Sequence, residues 1–483
     1  MTEAPLLAAP TLGSAVTPRD LFIQATYLAA SVLFILGLKS LTKPDSARRG
    51  MQQAAIGMLL AIVGTLFHHE IIEYRWIAAG LVIGTIVGWP LGTQVPMTAM
   101  PQRIAISHMF GALAASLVGV AEYYTAYQPL GDGTTPGIDA GRMTALGFEV
   151  LFGSLTVTGS LMAAGKLQEI LPGRPITFGG QNVFNVAVFA VAVGLFIFLI
   201  FSPSTTIAFY TMIGLALIIG VSMVLPIGAA DMPVVVSLLN SYAGLAASAT
   251  GFAIGNNVLI ICGALDGGSG FLLSMLMCKA MNRSFANVLF GAFGTPQITA
   301  GKTAAGLSVK SISAEDAAIQ LAYARRVVIV PGYGMAVAQS QHQVRELAEL
   351  IEKKGGDVKY AIHPVAGRMP GHMNVLLAEA NVPYDRLYDM DEINPEFPQT
   401  DVVVVIGAND VVNPAARNDE NSPIYGMPIL NVDQARSIIV MKRSMNPGFA
   451  GIENELFYDS KTGMLFGDAK ASLHKLVTEV KSL

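Results

Sequence analysis

The sequence predicts a polytopic α-helical membrane bundle of about nine transmembrane helices, followed by a cytoplasmic Rossmann-like α/β domain with a doubly wound parallel sheet. Charged residues make up only 13% of the 483 residues, whereas an average soluble domain has roughly a quarter. Their distribution is uneven, with 24 in residues 1–283 and 40 in residues 284–483. We therefore divide the chain into a membrane domain (1–283), a linker (284–318) and a soluble domain (319–483).

The membrane domain contains nine apolar runs, each long enough to cross a hydrocarbon core of about 30 Å. The runs are 21–38, 51–67, 76–98, 104–121, 145–164, 183–202, 205–226, 232–254 and 257–277. Basic residues concentrate in alternate loops, at Lys39, Lys43, Arg48, Arg49, Arg103, Lys166, Arg174, Lys279 and Arg283, and only Arg19, Arg75 and Arg142 lie opposite them. The positive-inside rule then places the N-terminus outside and the soluble domain in the cytoplasm.

Ionisable and strongly polar residues inside the apolar runs are few. They are His108, Glu149, Ser160, Asn240 and Asp266, and Asp231 directly precedes the eighth run. Because each is costly in hydrocarbon, each is expected to face the bundle interior or water and is a candidate for ion handling. Histidine titrates near neutral pH, with an ordinary pKa of about 6.5, so a proton path through His108 is the leading interpretation. A simple hydrogen bond between helices is the alternative for His108 and for Asn240.

The linker is rich in Gly, Thr, Lys and Ser, which predicts a mobile connector. At its end, Ser313 and Asp316 predict a capped helix over 314–324. Beyond it, apolar strand-like runs alternate with helical segments, the pattern of a parallel sheet covered on both faces. The predicted strands are 326–330, 358–362, 386–389, 401–406, 429–430 and 437–441. Helices are predicted after the turn at 332–337 as far as Lys354, over 372–381 and over 468–482.

The turn at 332–337 has the pattern G-x-G-x-x-V between a strand and a helix. In this context, glycines let the backbone and a helix N-terminus approach the pyrophosphate of a dinucleotide. Val337 stands where Gly or Ala is usual, so a structural turn that binds nothing is the alternative. A nucleotide is nonetheless predicted here, because ligands of such folds bind beyond the carboxyl ends of the strands.

The residues after two other strands favour NADP(H) over NAD(H). An NAD site usually has an acidic residue after the second strand, but here His363-Pro364 follows, with Arg368 beyond. After the last predicted strand, Lys442-Arg443-Ser444 supplies two cations and a hydroxyl that suit a 2′-phosphate. A solvated basic turn is the alternative. Since a domain of this size holds one nucleotide, a hydride exchanged with it must come from a group on another chain.

Composition argues against several other classes of function. The net charge of −4 and the lack of a basic face argue against a nucleic-acid partner. With only Cys262 and Cys278, both in an apolar segment, neither a disulfide framework nor a thiolate metal site is expected. The first 20 residues have no basic segment before an apolar run, so no cleavable signal peptide is expected.

Seven ordered strings between residues 231 and 446 resemble the beta subunit of the proton-translocating NAD(P) transhydrogenases, and the resemblance runs over essentially the whole chain. They are Asp-Met-Pro-Val-Val-Val-Ser (231–237), Leu-Asn-Ser-Tyr (239–242), Met-Cys-Lys-Ala-Met-Asn-Arg-Ser (277–284), Pro-Gly-Tyr-Gly-Met-Ala-Val-Ala-Gln (331–339), His-Pro-Val-Ala-Gly-Arg-Met-Pro-Gly-His (363–372), Gly-Ala-Asn-Asp (407–410) and Lys-Arg-Ser-Met-Asn (442–446). The resemblance implies Si-face-specific hydride transfer between NADH and NADP⁺, coupled to proton movement across a bacterial inner membrane. It also implies an alpha-type partner chain that carries the NAD(H) site and further transmembrane helices, in a dimer of alpha-beta units.

The resemblance further implies roles for single residues. His108 and Asn240 correspond to the family's proton-path residues, and Asp231 to its acid at the junction of membrane and cytoplasm. The residues that would hold NADP(H) are Gly332, Tyr333, Gly334, Ala336, Val337, Arg368, Gly407, Ala408, Asn409, Asp410, Lys442, Arg443 and Ser444, with the last three at the 2′-phosphate. Two positions depart from the family: Phe449 stands where a Tyr over the cofactor is expected, and Asp266 stands where an apolar residue is more usual.

Two other classes of function stay open on the sequence alone. One is a transporter or channel that is regulated by a cytoplasmic NADP(H)-binding domain, which would more often show an acidic residue after the second strand and a selectivity filter. The other is a scaffold subunit that binds NADP(H) without turnover. Reduction of an NAD analogue by NADPH, with and without an NAD-binding partner, separates these alternatives.

Overall fold

The computed structural model describes residues 17–41, 44–68, 74–94, 96, 99–127, 137–172, 176–228, 231–281, 285, 308–369, 371–420, 422, 424–446, 448 and 452–483. In these residues the membrane domain consists of nine long helices, one for each predicted apolar run. They are α1 (Pro18–Leu41), α2 (Pro44–Leu66), α3 (Tyr74–Thr93), α4 (Met100–Ala126), α5 (Ala140–Leu167), α6 (Gln181–Phe201), α7 (Thr206–Val224), α8 (Met232–Ile254) and α9 (Asn257–Ala280).

Eight of these nine helices are long and apolar enough to span a membrane. The exception is α2, whose first turns carry Arg48, Arg49 and Gln52 and leave a shorter apolar stretch. It packs along α1, where Gly50 and Gly37 let the two backbones approach closely. The chain is therefore a membrane protein with eight to nine helices that can span the bilayer.

The helices of the bundle pack through small residues, as their composition predicts. A Cβ atom added at Gly153 of α5 would lie 2.4 Å from Ser116 Oγ of α4. One added at Gly244 of α8 would lie 2.4 Å from Gly267 N of α9. Of the eight spanning helices, α5 and α8 are the most buried. These two helices therefore form the centre of the bundle.

The soluble domain contains a six-stranded parallel sheet in the order β3-β2-β1-β4-β5-β6. Its strands are β1 (Arg326–Pro331), β2 (Asp357–Ile362), β3 (Leu387–Asp389), β4 (Val402–Ile406), β5 (Ser437–Lys442) and β6 (Thr462–Phe466). Its helices are α10 (Ala314–Tyr323), α11 (Tyr333–Val337), α12 (Gln341–Lys353), α13 (His372–Glu379), α14 (Met390–Ile393), α15 (Ala415–Asn418) and α16 (Ala469–Ser482). Alternate residues of β1 belong to two separate hydrophobic cores, one on each face of the sheet. Val327 and Ile329 lie in one core, and Val328 and Val330 lie in the other. The doubly wound parallel sheet is thereby confirmed.

Three parts of the soluble domain differ from the sequence prediction. Ile429 and Leu430 are buried in a loop rather than a strand, because the Leu430 N–H donates to the turn after β4. The edge strand β6 is absent from the prediction, since it is short and contains Gly463. The predicted helix that ends at Lys354 is α12, but the segment predicted as a turn before it forms the short helix α11, and Gln339, with a left-handed φ of 48°, separates the two.

Only the ends of the linker belong to the described residues. Residues 286–307, where the sequence predicts a mobile connector, lie outside them, as does Phe449. At the start of the soluble domain, Ser311 forms a parallel bridge with Met464 of β6. The predicted cap of α10 is confirmed, because the Ser313 hydroxyl accepts from the Asp316 N–H and the Asp316 carboxylate accepts from the Ser313 N–H.

Candidate functional site

The turns after β1 and β4 meet at the centre of the sheet, where the direction of winding reverses. The Gly334 N–H donates to Gly407 O at 3.0 Å, and a Cβ atom at Gly332 would lie 2.4 Å from the same oxygen. Gly407 has a left-handed φ of 66°, and a side chain there would collide with the backbone of Gly334. The structure thus brings the three predicted glycines together at the crevice where such folds bind their ligands.

The helix that follows the first glycine turn is short. α11 consists of only five residues, Tyr333–Val337. Ala336 is buried against the sheet, Tyr333 is half-buried and Val337 is exposed. A pyrophosphate at this turn would therefore meet the backbone N–H groups of the glycine turn and of a helix with little more than one turn.

Asn409 and Asp410 follow β4 and lie beside Gly448, while Ala408 is buried beneath them. Asn409 Oδ1 accepts from Asn454 Nδ2 at 3.1 Å. Asn409 Nδ2 is buried and has no hydrogen-bond partner within the described part of the chain. Because a buried unused donor is costly, this amide fits a cofactor that brings an acceptor oxygen into the crevice.

The basic turn 442–444 follows β5, the strand next to β4. The Lys442 ammonium donates to Asn446 O and lies 4.9 Å from the centre of the Phe457 ring. Burial lowers the pKa of Lys442, and the nearby Asp410 carboxylate opposes that shift. The side chains of Arg443 and Ser444 are exposed. The turn thus offers one held ammonium and one exposed guanidinium, a donor set that fits a 2′-phosphate.

Arg368 lies beside the turn after β1 and bonds to the membrane domain. Its guanidinium is 4.3 Å from the centre of the Tyr333 ring, and it donates to Leu167 O at 3.1 Å and to Glu169 Oε1 at 3.2 Å. Burial raises the pKa of Tyr333, and the Arg368 charge opposes that shift. In this conformation the predicted cofactor residue Arg368 is a contact between the soluble domain and the end of α5.

Two buried histidines line a cleft of about 270 Å³ between the soluble domain and α9. His363 Nδ1 accepts from the Val365 N–H at 3.2 Å, and His363 Nε2 lies 2.8 Å from Pro428 O. His372 Nδ1 accepts from the Arg368 N–H at 3.2 Å. Burial lowers the pKa of each histidine to about 4, and Arg368 adds to the shift at His372. Both rings are therefore neutral at pH 7, which matches their use of Nδ1 as an acceptor.

A second group of polar side chains lies among α4, α8 and α9. Asn240 Nδ2 donates to Asp266 Oδ1 at 3.0 Å. His108, half-buried on α4, interacts electrostatically with the same carboxylate. The sequence marks Asp266 only as a charged residue in an apolar run. Its contact with Asn240 depends on the close approach of α8 and α9 at Gly244 and Gly267, which no sequence pattern specifies.

Asp231 lies outside this group. It occupies the N-terminal cap position of α8, nine residues before Asn240, which places the two roughly 14 Å apart along the helix axis. It is half-buried at the end of the bundle from which the chain leaves for the soluble domain. The structure therefore brings His108, Asn240 and Asp266 together but keeps Asp231 at the boundary.

Comparison with known proteins decides the family. A family model described as NAD(P) transhydrogenase beta subunit matches residues 23–479. The chain belongs to this family. Two proteins named NAD(P) transhydrogenase subunit beta, one from Rhodospirillum rubrum and one from a designated strain of that species, are each 49% identical over 456 residues, which cover 94% of this chain and 98% of the relative.

Membership of the NAD(P) transhydrogenase beta subunit family confirms the resemblance found in the sequence. It supports transhydrogenase activity as the function of the chain and implies the use of NADP(H) and NAD(H). A beta subunit also implies an alpha subunit as its partner. Nothing in these comparisons favours a regulated transporter or channel.

Proposed function

We propose that this chain binds NADP(H) in its soluble domain, conducts protons through its membrane domain and couples the two events. It would act as the beta subunit of an Si-face-specific, proton-translocating transhydrogenase that is active only with an NAD(H)-binding alpha-type chain. The observation that carries the proposal is that one chain contains both a polar group inside its membrane helices and a crevice suited to a nucleotide. One is the membrane group His108, Asn240 and Asp266, and the other is a sheet crevice with an unused amide and a basic turn.

The NADP(H) site would be built from the turns at the crevice. Close packing of Gly334 against Gly407 holds these turns in one arrangement, and the unused Asn409 amide donates to the cofactor. The residues assigned to this site are Gly332, Tyr333, Gly334, Ala336, Val337, Gly407, Ala408, Asn409 and Asp410. When bound, the nicotinamide gives or takes the hydride, and the chain contributes orientation and exclusion of water.

Selection of NADP(H) over NAD(H) would depend on the basic turn. The Lys442 ammonium is already positioned by Asn446 O and the Phe457 ring, so little side-chain entropy is lost when it meets a phosphate. The exposed Arg443 guanidinium can donate to two phosphate oxygens at once, and the Ser444 hydroxyl adds a third donor. NAD(H) has no 2′-phosphate and leaves these donors unused.

His108 would take up and release the translocated proton. The Asn240 amide donates to the Asp266 carboxylate and fixes its orientation beside His108, so the three side chains form one polar group inside the bundle. A proton released towards the soluble domain then meets Asp231 at the boundary of the bundle. The direction of net flow is from the outside to the cytoplasm when NADP⁺ is reduced.

Coupling would use the contact between Arg368 and the end of α5. In the described conformation Arg368 bonds to Leu167 O and Glu169. In a second conformation, Arg368 would leave these partners and bind the cofactor. The protonation of His108 and the affinity for NADP(H) would then influence each other. Thermodynamic linkage requires this influence to be reciprocal.

The proposed arrangement in the cell is supported by the loop charges. The basic loops favour an N-terminus outside and a soluble domain in the cytoplasm, and the membrane would be the bacterial inner membrane. The alpha-type chain would supply the NAD(H) site and further transmembrane helices, and two alpha-beta units would associate as a dimer.

The proposal is tested by reconstituting this chain into lipid vesicles with and without its alpha-type partner. We expect NADPH to reduce an NAD analogue only when both chains are present. A chain that catalyses this reaction alone would contradict the need for a partner. The absence of any transfer with both chains present would contradict the assignment itself.

A further inference from the structure

We propose that Glu149 of α5 is a second proton-carrying residue of the membrane domain, placed on the outer side of His108. This inference rests on the proposed function, because it assigns the outer part of the proton path whose inner part contains His108 and Asn240. It concerns a buried ionisable group that neither the NADP(H) site nor the group around His108 includes.

The burial of Glu149 is complete. Its side chain has 0% of its surface exposed, and neither carboxyl oxygen has a hydrogen bond of normal geometry within the described residues. The side chain of Thr250 on α8 and the backbone of Gly119 on α4 lie nearby. A permanently ionised carboxylate is costly in such surroundings. These surroundings are compatible with a carboxyl group that carries a proton and passes it on.

The neighbouring helix is shaped to accommodate this carboxyl. At Gly119 an added Cβ atom would lie 3.1 Å from Glu149 Cδ and 3.2 Å from Glu149 Oε1. Glu149 is nine residues from Ala140, the first residue of α5, which corresponds to roughly 14 Å along the helix. The opposite end of α5 is the one that contacts Arg368. Glu149 therefore lies in the half of the bundle remote from the soluble domain.

A polar residue lies between Glu149 and His108. Ser116 Oγ is buried without a hydrogen-bond partner among the described residues, and it lies against Gly153, one turn after Glu149 on α5. His108 and Ser116 are eight residues apart and share one face of α4. Their separation along the axis is roughly 12 Å. A few water molecules, or a sliding of α4 along α5, would allow a proton to pass between Ser116 and His108.

The other charged groups near Glu149 lie towards the outer ends of the helices. Glu122 of α4 and Arg142 of α5 form an ion pair there, with side chains that are 29% and 40% exposed. The described lengths of α6, α7 and α8 contain no charged residue. Among the described residues, the carboxyl of Glu149 is thus the first ionisable group inside the bundle after this ion pair, which places it where a proton from the outside would be received.

The test compares three variants of the complete alpha-beta complex in vesicles. Glu149→Gln keeps the size of the side chain but cannot carry a proton, so we expect coupled proton uptake to fall by about 100-fold while NADP⁺ binding stays within about twofold. Glu149→Asp should restore at least about a tenth of the uptake and move its pH optimum. The matched control is Glu122→Gln, which removes a neighbouring carboxylate and should leave uptake within about threefold.

Several outcomes would overturn the inference. Wild-type uptake in Glu149→Gln would show that Glu149 carries no proton. A loss of equal size in Glu122→Gln would show that the effect is not specific to Glu149 and would remove the basis of the assignment. If Glu149→Gln does not assemble, an unchanged pH optimum in Glu149→Asp would lead to the same conclusion. These results are distinct from a failure of the proposed function, in which the wild-type complex itself would transfer hydride without moving protons.

Discussion

The proposed sites of the soluble domain and of the membrane domain are built in different ways. In the soluble domain the site consists of turns after β1, β4 and β5, which the parallel topology places side by side. In the membrane domain it consists of single side chains on separate helices, such as Asn240 and Asp266, which are 26 residues apart in the chain. A site of the first kind leaves a local pattern in the sequence, whereas a site of the second kind exists only after the helices have packed.

Both domains contain buried polar groups that stabilise the fold and others that have no partner among the described residues. In the soluble domain, Asn413 and Thr462 donate to backbone carbonyls and stabilise loops. In the described part of the bundle, Glu149 and Ser116 are buried with polar atoms that lack a partner. In the soluble domain, one unused donor, Asn409 Nδ2, lies at the crevice assigned to the cofactor, while other buried atoms without a partner, such as Gln343 Oε1, lie at no proposed site. The unused groups therefore support a functional position only where they join other residues of a proposed site.

The largest effect that separates the domains is expected for His108→Ala. Because His108 is the proposed proton carrier, coupled proton uptake should fall by about 100-fold or more, whereas NADP⁺ affinity should stay within about twofold. Proton uptake by vesicles and NADP⁺ titration measure the two quantities. Phe110→Ala, at an exposed residue of the same helix, is the control. Undiminished uptake in His108→Ala would remove His108 from the path.

Acidification is expected to affect the soluble domain selectively. The pKa of His363 is lowered to about 4 in the folded chain, so between about pH 6.5 and pH 4 the unfolded chain binds more protons and stability falls as the pH falls. From about pH 7 to about pH 5 the loss is about 2 kcal/mol. Hydrogen exchange at β1 and β2 in the full complex measures this loss.

The matched variants for this pH effect are two substitutions of histidine. His363→Gln should reduce the dependence of exchange on pH, because the titrating group is gone. His474→Gln, at an exposed position of α16, should leave the dependence as in the wild type. The wild type is acidified from neutral pH over the same pH range. If its hydrogen-exchange protection at β1 and β2 does not change, the result contradicts the buried neutral state of His363.

A smaller effect is expected from Arg443→Ala, which tests whether the basic turn of the soluble domain recognises the 2′-phosphate of NADP(H). Loss of charged hydrogen bonds to a phosphate should weaken NADP⁺ binding by about 10- to 30-fold without changing the weak binding of NAD⁺. Arg436→Ala is the control, because Arg436 lies just before the start of β5 and bonds to Asp401. Equal weakening of NADP⁺ and NAD⁺ binding would show that Arg443 does not recognise the 2′-phosphate.

The smallest effect is expected at the contact between the two domains. Glu169→Gln removes one partner of Arg368, but the Glu169 side chain is 76% exposed, so the rate of coupled transfer should change by no more than about fivefold. The control is Glu349→Gln, which breaks the exposed ion pair with Arg345 on α12. A larger change in the control than in Glu169→Gln would exclude a role of this contact in coupling.

Much of the fold could be predicted from the sequence, because long apolar runs and alternating strands have strong periodic signals. The errors occur where the signal is short, as in β6, or where apolar residues such as Ile429 and Leu430 are buried in a loop. The short helix α11 within the predicted turn, and its end before the left-handed Gln339, could not be predicted, because a left-handed φ at a residue other than glycine has no reliable signature in the sequence.

The two sites differ in how much of them the sequence could predict. The glycine turns and the basic turn are predictable, because strand ends and turn residues are local features. The contact of Asn240 with Asp266 and that of Arg368 with α5 join residues that are far apart in the chain. Such contacts depend on how helices cross and how domains meet, which one sequence does not specify.

The central claim is that a proton path and an NADP(H) site on this chain act on each other. The most direct test imposes a proton gradient, acidic outside, on vesicles with the complete complex and measures the reduction of NADP⁺ by NADH. We predict that the gradient accelerates reduction in the wild type and has no effect in His108→Ala. A rate that is the same with and without the gradient in the wild type would contradict the claim.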